Sequence, residues 1–179
     1  APTPTPIVYP RLWTDEFNRP NTATLPAPWR TVSGLFSVTS NRVVARSSGT
    51  SLAVVNGVAA ADVVVRSTVS LGTSGSAGLV LRQTTSGMYY ATLSRTAAGV
   101  VAEIWRQQGT KTTVLASRLA GGSSGILEFS ATGTRLTLSF GGRELLSRDD
   151  AVLRGPGGVG FRTRGPGGSL DSFSAYRRG

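Results

Sequence analysis

A chain of 179 residues with nineteen basic side chains, nine acidic ones, no histidine and no cysteine can bury one full core, but it lacks most catalytic and metal-binding tools. Without thiols it has no disulfide, thiolate metal site or cysteine nucleophile, and without imidazole it has no Ser-His-Asp triad, Cys-His pair or histidine-bearing zinc site. The net charge of +10 rests almost wholly on arginine, since Lys111 is the single lysine; the arginines recur along the chain instead of gathering in one stripe, which argues against a specific nucleic-acid groove.

Residues 1–10, APTPTPIVYP, carry four prolines and read as an extended, polyproline-like arm. An alanine start followed by a Pro/Thr tract is what a secreted chain shows once its leader is gone, so the expected location is extracellular or at the cell surface. Ile7, Val8 and Tyr9 are the arm's one apolar patch. Docked on a neighbour's sheet edge they would link copies head to tail, giving a homo-oligomer that closes into a ring or grows as a filament. The alternative is that the arm folds back on its own domain.

Residues 11–18, RLWTDEFN, read as a first strand, and a Pro-rich loop leads to Trp29. LFSV (35–38), RVVAR (42–46) and SLAVV (51–55) are short strands between Ser/Asn/Gly turns. From Ala61 to Arg106 four apolar runs separated by Gly/Ser/Thr predict a β-meander. Val63, Val65 and Val69 share one parity, Leu79 and Leu81 another, and Val101 with Trp105 a third, alternating with Arg66, Arg82 and Arg106. One face of this sheet is expected to be core. The other would carry Arg82, Tyr89 or Tyr90, Arg95, Glu103 and Trp105.

TTVLAS (112–117) is a further strand and GGSSG (121–125) a loop. That loop matches the G-x-S-x-G nucleophile pattern, but there is no histidine and no strand-to-helix turn to go with it. Residues 126–147 hold three strands with turns at Thr132-Gly133 and Gly141-Gly142, the second a standard hairpin signal. GVGFRTR (158–164) and LDSFSAY (170–176) close the fold, and residues 177–179 form a basic tail. No apolar run nears the roughly 18 residues of a membrane-spanning helix, and no segment has helical periodicity. The pattern predicts an all-β domain over residues 11–176, built as a jelly-roll β-sandwich of two antiparallel sheets.

DEFNRPNTATLPAPW with LFSVTSNRVVA, ADVVVRSTVSL with AGLVLRQTTSGMYYATLSR, ILEFSATGTRLTLSFGGRELLSRDD and GGVGFRTRGPGGSLDSFSAY, in that order, resemble the concanavalin A-like lectin/glucanase superfamily, and within it the bacterial laminin-G-like branch. The resemblance spans residues 13–176. It implies a two-sheet jelly roll with one concave face, in a mostly extracellular family that often binds glycans or mediates adhesion. Its hydrolytic members carry a Glu-x-Asp-x-x-Glu cluster, which this chain lacks: Glu103 and Glu128 stand alone, and the adjacent acids are Asp15-Glu16 and Asp149-Asp150. Neighbours on a strand point to opposite faces, so Asp15-Glu16 alone cannot flank a glycosidic bond. Related sandwiches often hold calcium, and Asp15 and Asp171 match acidic positions near the ends of the family pattern; pairing with arginines or capping turns is the alternative role for both.

The reading is therefore a non-catalytic structural subunit that self-associates through its arm. The alternative is a lectin-like carbohydrate-binding module using Arg82, Tyr90, Arg95, Glu103 and Trp105, with a polysaccharide as partner. Trp13, Tyr89 and Tyr176 are further aromatic candidates for stacking. For Trp105 the competing expectation is burial in the core beside Val101.

Overall fold

The computed structural model describes residues 8–179. Its strands are β1 (Arg11–Asp15), β2 (Trp29–Ser33), β3 (Phe36–Thr39), β4 (Arg42–Ala45), β5 (Thr50–Val55), β6 (Val63–Ser70), β7 (Ser76–Gln83), β8 (Gly87–Thr96), β9 (Gly99–Gln108), β10 (Lys111–Leu119), β11 (Ser124–Thr132), β12 (Arg135–Phe140), β13 (Arg143–Asp149), β14 (Gly158–Arg164) and β15 (Ser169–Arg177). Two antiparallel sheets result. One runs β13-β12-β11-β6-β15-β4-β3 with β1 paired to β15, and the other runs β10-β9-β8-β7-β14-β5-β2. This is the jelly-roll sandwich that the alternation predicts.

Period-two alternation puts the apolar positions of both sheets into one shared core. Val63, Val65 and Val69 of β6, Phe129 of β11 and Phe173 of β15 are fully buried in the same cluster as Leu79 and Leu81 of β7, Leu93 of β8, Ile104 of β9 and Phe161 of β14. Trp29 packs among Phe17, Phe161 and Phe173, with ring centroids 5.8, 4.7 and 4.9 Å away. Its indole N–H donates to Asp15 at 2.8 Å, and the other oxygen of Asp15 takes the Phe17 N–H at 2.8 Å and the Arg19 guanidinium. The end of β1 is thereby fixed to the start of β2. The Gly141-Gly142 turn has φ of 59° and 78°, the left-handed pair that a two-residue hairpin needs.

Val8, Tyr9 and Pro10 lie along the domain's own last strand. The Pro10 carbonyl accepts the Arg177 N–H at 2.8 Å, and the Arg178 guanidinium carbon sits 5.7 Å from the centre of the Tyr9 ring. This part of the arm folds back, and Ile7 lies outside the described residues.

Candidate functional site

The seven-stranded sheet has a second, smaller apolar cluster on the face turned away from the core. Ala91 and Leu93 of β8 and Ala102 and Ile104 of β9 point inward, so Tyr90, Thr92, Glu103 and Trp105 point outward. Val101 and Trp105 do share a parity, but it is that of the outer face, which corrects the expectation of Trp105 in the core. The inward position next to Ile104 is held by the small Ala102, which gives little apolar signal in the sequence.

Strand register places these residues in two cross-strand rows. Val114, Trp105, Tyr90, Val80, Gly160 and Val54 form one. Ser117, Glu103, Thr92, Gly78, Arg162 and Leu52 form the next. The rings of Tyr90 and Trp105 are nearly parallel, 8° apart with centroids separated by 5.9 Å. Arg162 lies over the other side of this arrangement, its guanidinium carbon 4.2 Å from the Tyr90 ring centre, a cation–π distance. It crosses the position of Gly78, which has no side chain to obstruct it. A Cβ at Gly78 would meet the Ala91 carbonyl oxygen at 1.9 Å, and one at Gly160 would meet that of Ala53 at 1.9 Å.

Leu52, Val54, Val80 and Met88 complete the cluster, and under this cover Tyr90 is buried while Trp105 and Arg162 remain partly exposed. Beside the cluster, Leu52 and Met88 also line a depression of about 580 Å³ together with Arg30, Gln83 and Gln107. Glu103 accepts the Ser94 hydroxyl at 3.1 Å. Burial raises the Tyr90 hydroxyl above its ordinary pKa, opposed by Arg162 and reinforced by Glu103. Burial lowers that of Arg162, opposed by Tyr90. The face therefore offers an aromatic surface flanked by hydroxyls, one carboxylate and the Arg162 guanidinium, with Arg30 further out beside Val54 in the Trp105 row.

Arg82 does not belong to it. Alternation predicts it outward, but β7 and β14 slip register between Gly158 and Gly160, and Arg82 adopts φ of 51°, a bulge that turns the side chain in. It is 2 % exposed and donates to the carbonyls of Ala61 at 2.7 Å, Gly133 at 2.8 Å and Leu153 at 2.8 Å, with Asp62 at 3.4 Å. Tyr89 is in the core; its hydroxyl donates to the Asp150 carboxylate and accepts the Leu153 N–H at 3.0 Å. Arg95 has the opposite parity to Ser94 and donates to the Gly72 carbonyl, lining a separate depression of about 430 Å³ with Ser48, Ser74 and Arg164. Trp13 packs against the core, and Tyr176 lines a groove with Val8, Tyr9 and Val64 on the other sheet.

The two calcium candidates are engaged separately, Asp15 by its three N–H donors and Asp171 by the Ser172 N–H at 2.8 Å. Three of the five sugar-binding candidates, Tyr90, Glu103 and Trp105, are thus brought together. Arg162 was not among them, although Val159, Phe161 and Thr163 alternate with it in GVGFRTR and mark it as outward.

No family model matches the chain, and no curated protein sequence does either. Solved structures are similar to it in fold. The carbohydrate-binding module CBM66 from Bacillus subtilis superposes with a TM-score of 0.74 at 17% identity, covering 83% of this chain and 95% of that one. A protein of unknown function with a galectin-like fold, also from Bacillus subtilis, gives 0.72 at 11% identity, covering 94% and 96%. SCLam, a non-specific endo-β-1,3(4)-glucanase from family GH16, gives 0.70 at 12% identity, covering 100% and 95%. The chain has the concanavalin A-like jelly-roll fold.

Proposed function

We propose that this protein is an extracellular carbohydrate-binding module and that its binding surface is the outer face of the seven-stranded sheet. The observation that carries the reading is the parallel Tyr90–Trp105 pair, held outside the core by strand register. Flat aromatic surface with polar groups at its margin suits a sugar ring, whose C–H face packs on the aromatic while its hydroxyls find partners at the edge. Trp105 supplies the exposed stacking surface, and Tyr90 beneath Arg162 fixes its position. Glu103 supplies a carboxylate in the adjoining row and Ser94 a hydroxyl in the row beyond it, with Thr92 buried between them. A carbohydrate-binding module is among the proteins of the same fold.

Binding without cleavage suits the charges. Glycosidic hydrolysis takes two carboxylates across the scissile bond, and the strands of this sheet contain one, Glu103.

The test is Trp105→Ala on a polysaccharide array. Affinity is expected to fall at least about tenfold, a typical loss for a buried aromatic anchor. The melting temperature should stay within about 2 °C, since the residue lies outside the main core. Unchanged binding by W105A, or wild-type protein that retains no polysaccharide, would overturn the proposal.

A further inference from the structure

Arg162 is unusual among the arginines drawn into this fold. Arg82 and Arg106 each hold a carboxylate, Asp62 and Asp150 respectively. Arg162 holds none among the described residues, and its Nε, like that of Arg106, is buried without a hydrogen-bond partner. The acid in its own row, Glu103, stands three strands away across Thr92 and Gly78. Another arginine, Arg164, is the charge that lies closer along β14. A guanidinium stacked on a ring keeps its N–H donors around its edge, in the planar fork that fits a carboxylate or a sulfate. A partly desolvated cation with no carboxylate against it carries a cost that an anion bound to the accessible part of the guanidinium would reduce.

We infer that Arg162 marks a subsite for an anionic sugar, bearing a uronate carboxylate or a sulfate ester, beside the Tyr90–Trp105 surface. The inference rests on the carbohydrate-binding reading and narrows it. Glycans stacked on Trp105 whose negative group reaches past Tyr90 to Arg162 are held by the guanidinium, and their neutral counterparts lose that contact.

The test uses affinity electrophoresis or calorimetry with polygalacturonate against its fully methyl-esterified form, and dextran sulfate against dextran. Wild-type protein is expected to bind at least one acidic polymer about tenfold or more tightly than its neutral counterpart, as for a charge-assisted contact. Preference for polygalacturonate assigns the carboxylate, and preference for dextran sulfate assigns the ester. Arg162→Met is expected to erase that ratio and Arg162→Lys to restore part of it. Arg143→Met, at the exposed start of β13 on the other sheet, should leave it intact.

Equal binding of acidic and neutral polymers would overturn the subsite while leaving carbohydrate binding standing, provided Trp105→Ala still loses both. An equal loss in Arg143→Met would also overturn it, by tracing the preference to bulk charge. If Arg162→Met fails to fold, Arg162→Lys set beside Arg143→Met decides the matter. The ratio is expected to fall in Arg162→Lys and to hold in Arg143→Met, and a ratio unchanged in Arg162→Lys would overturn the subsite. Retention of no polymer at all would remove both readings together.

Discussion

Tyr89 and Tyr90 show how much one step along a strand changes a side chain's chemistry. Tyr90 joins the outer cluster, while Tyr89 is sealed in the core, where burial first and the hydrogen bond to Asp150 second push its pKa up to about 12. An ordinary tyrosine titrates near pH 10. The folded protein therefore holds this proton more tightly than the unfolded chain does. The stabilisation is complete below about pH 10 and is lost as pH rises through about 12, a change of order 2 kcal/mol. Alkaline unfolding followed by tryptophan fluorescence should show stability declining over that window, and Tyr89→Phe should flatten the decline. An equally steep decline in Y89F would show that other groups cause it.

At the scale of elements, most strands were legible because their apolar positions alternate with Arg, Ser and Thr. The runs at 35–38, 42–46 and 51–55 correspond to β3, β4 and β5. β2 was missed, since its apolar content is Trp29 and Val32 within a loop-like setting. Arg82 was misplaced for a different reason: alternation carries a side chain to a predictable face only while register is unbroken, and nothing in LVLRQTT announces the bulge. Its three carbonyl partners lie before β6, at the β11–β12 turn and after β13, so one guanidinium ties together segments from both sheets. Arg82→Met would leave those three carbonyls without their donor, while Asp62 keeps the Gly133 N–H at 2.8 Å. The expected loss is about 3–5 kcal/mol in chemical denaturation, and a loss below about 0.5 kcal/mol, typical of a surface position, would show that the ties are not structural.

For the whole molecule, the fold was legible and the purpose of the outer face only partly so. Repeated short apolar runs specify two packed layers, but they do not tell which face of a sheet lies inside when both carry apolar residues, as Val101/Trp105 and Ala102/Ile104 do on β9. Charge leaves a clearer mark. With nineteen basic and nine acidic groups, pairing every acid still leaves ten cations repelling one another, while pairs such as Arg106–Asp150 are sheltered from solvent. Raising ionic strength from about 0.01 M to 0.15 M shortens the screening length from about 30 Å to about 8 Å, which weakens the long-range repulsion more than the sheltered pairs. The melting temperature is expected to rise by about 2–4 °C, equivalent to about 1 kcal/mol for a domain of this size. Over the same range, retention of a polyanion should weaken while binding of a neutral oligosaccharide on Trp105 changes little, because stacking carries no charge term. A melting temperature that falls with salt would mean that the ion pairs outweigh the net repulsion.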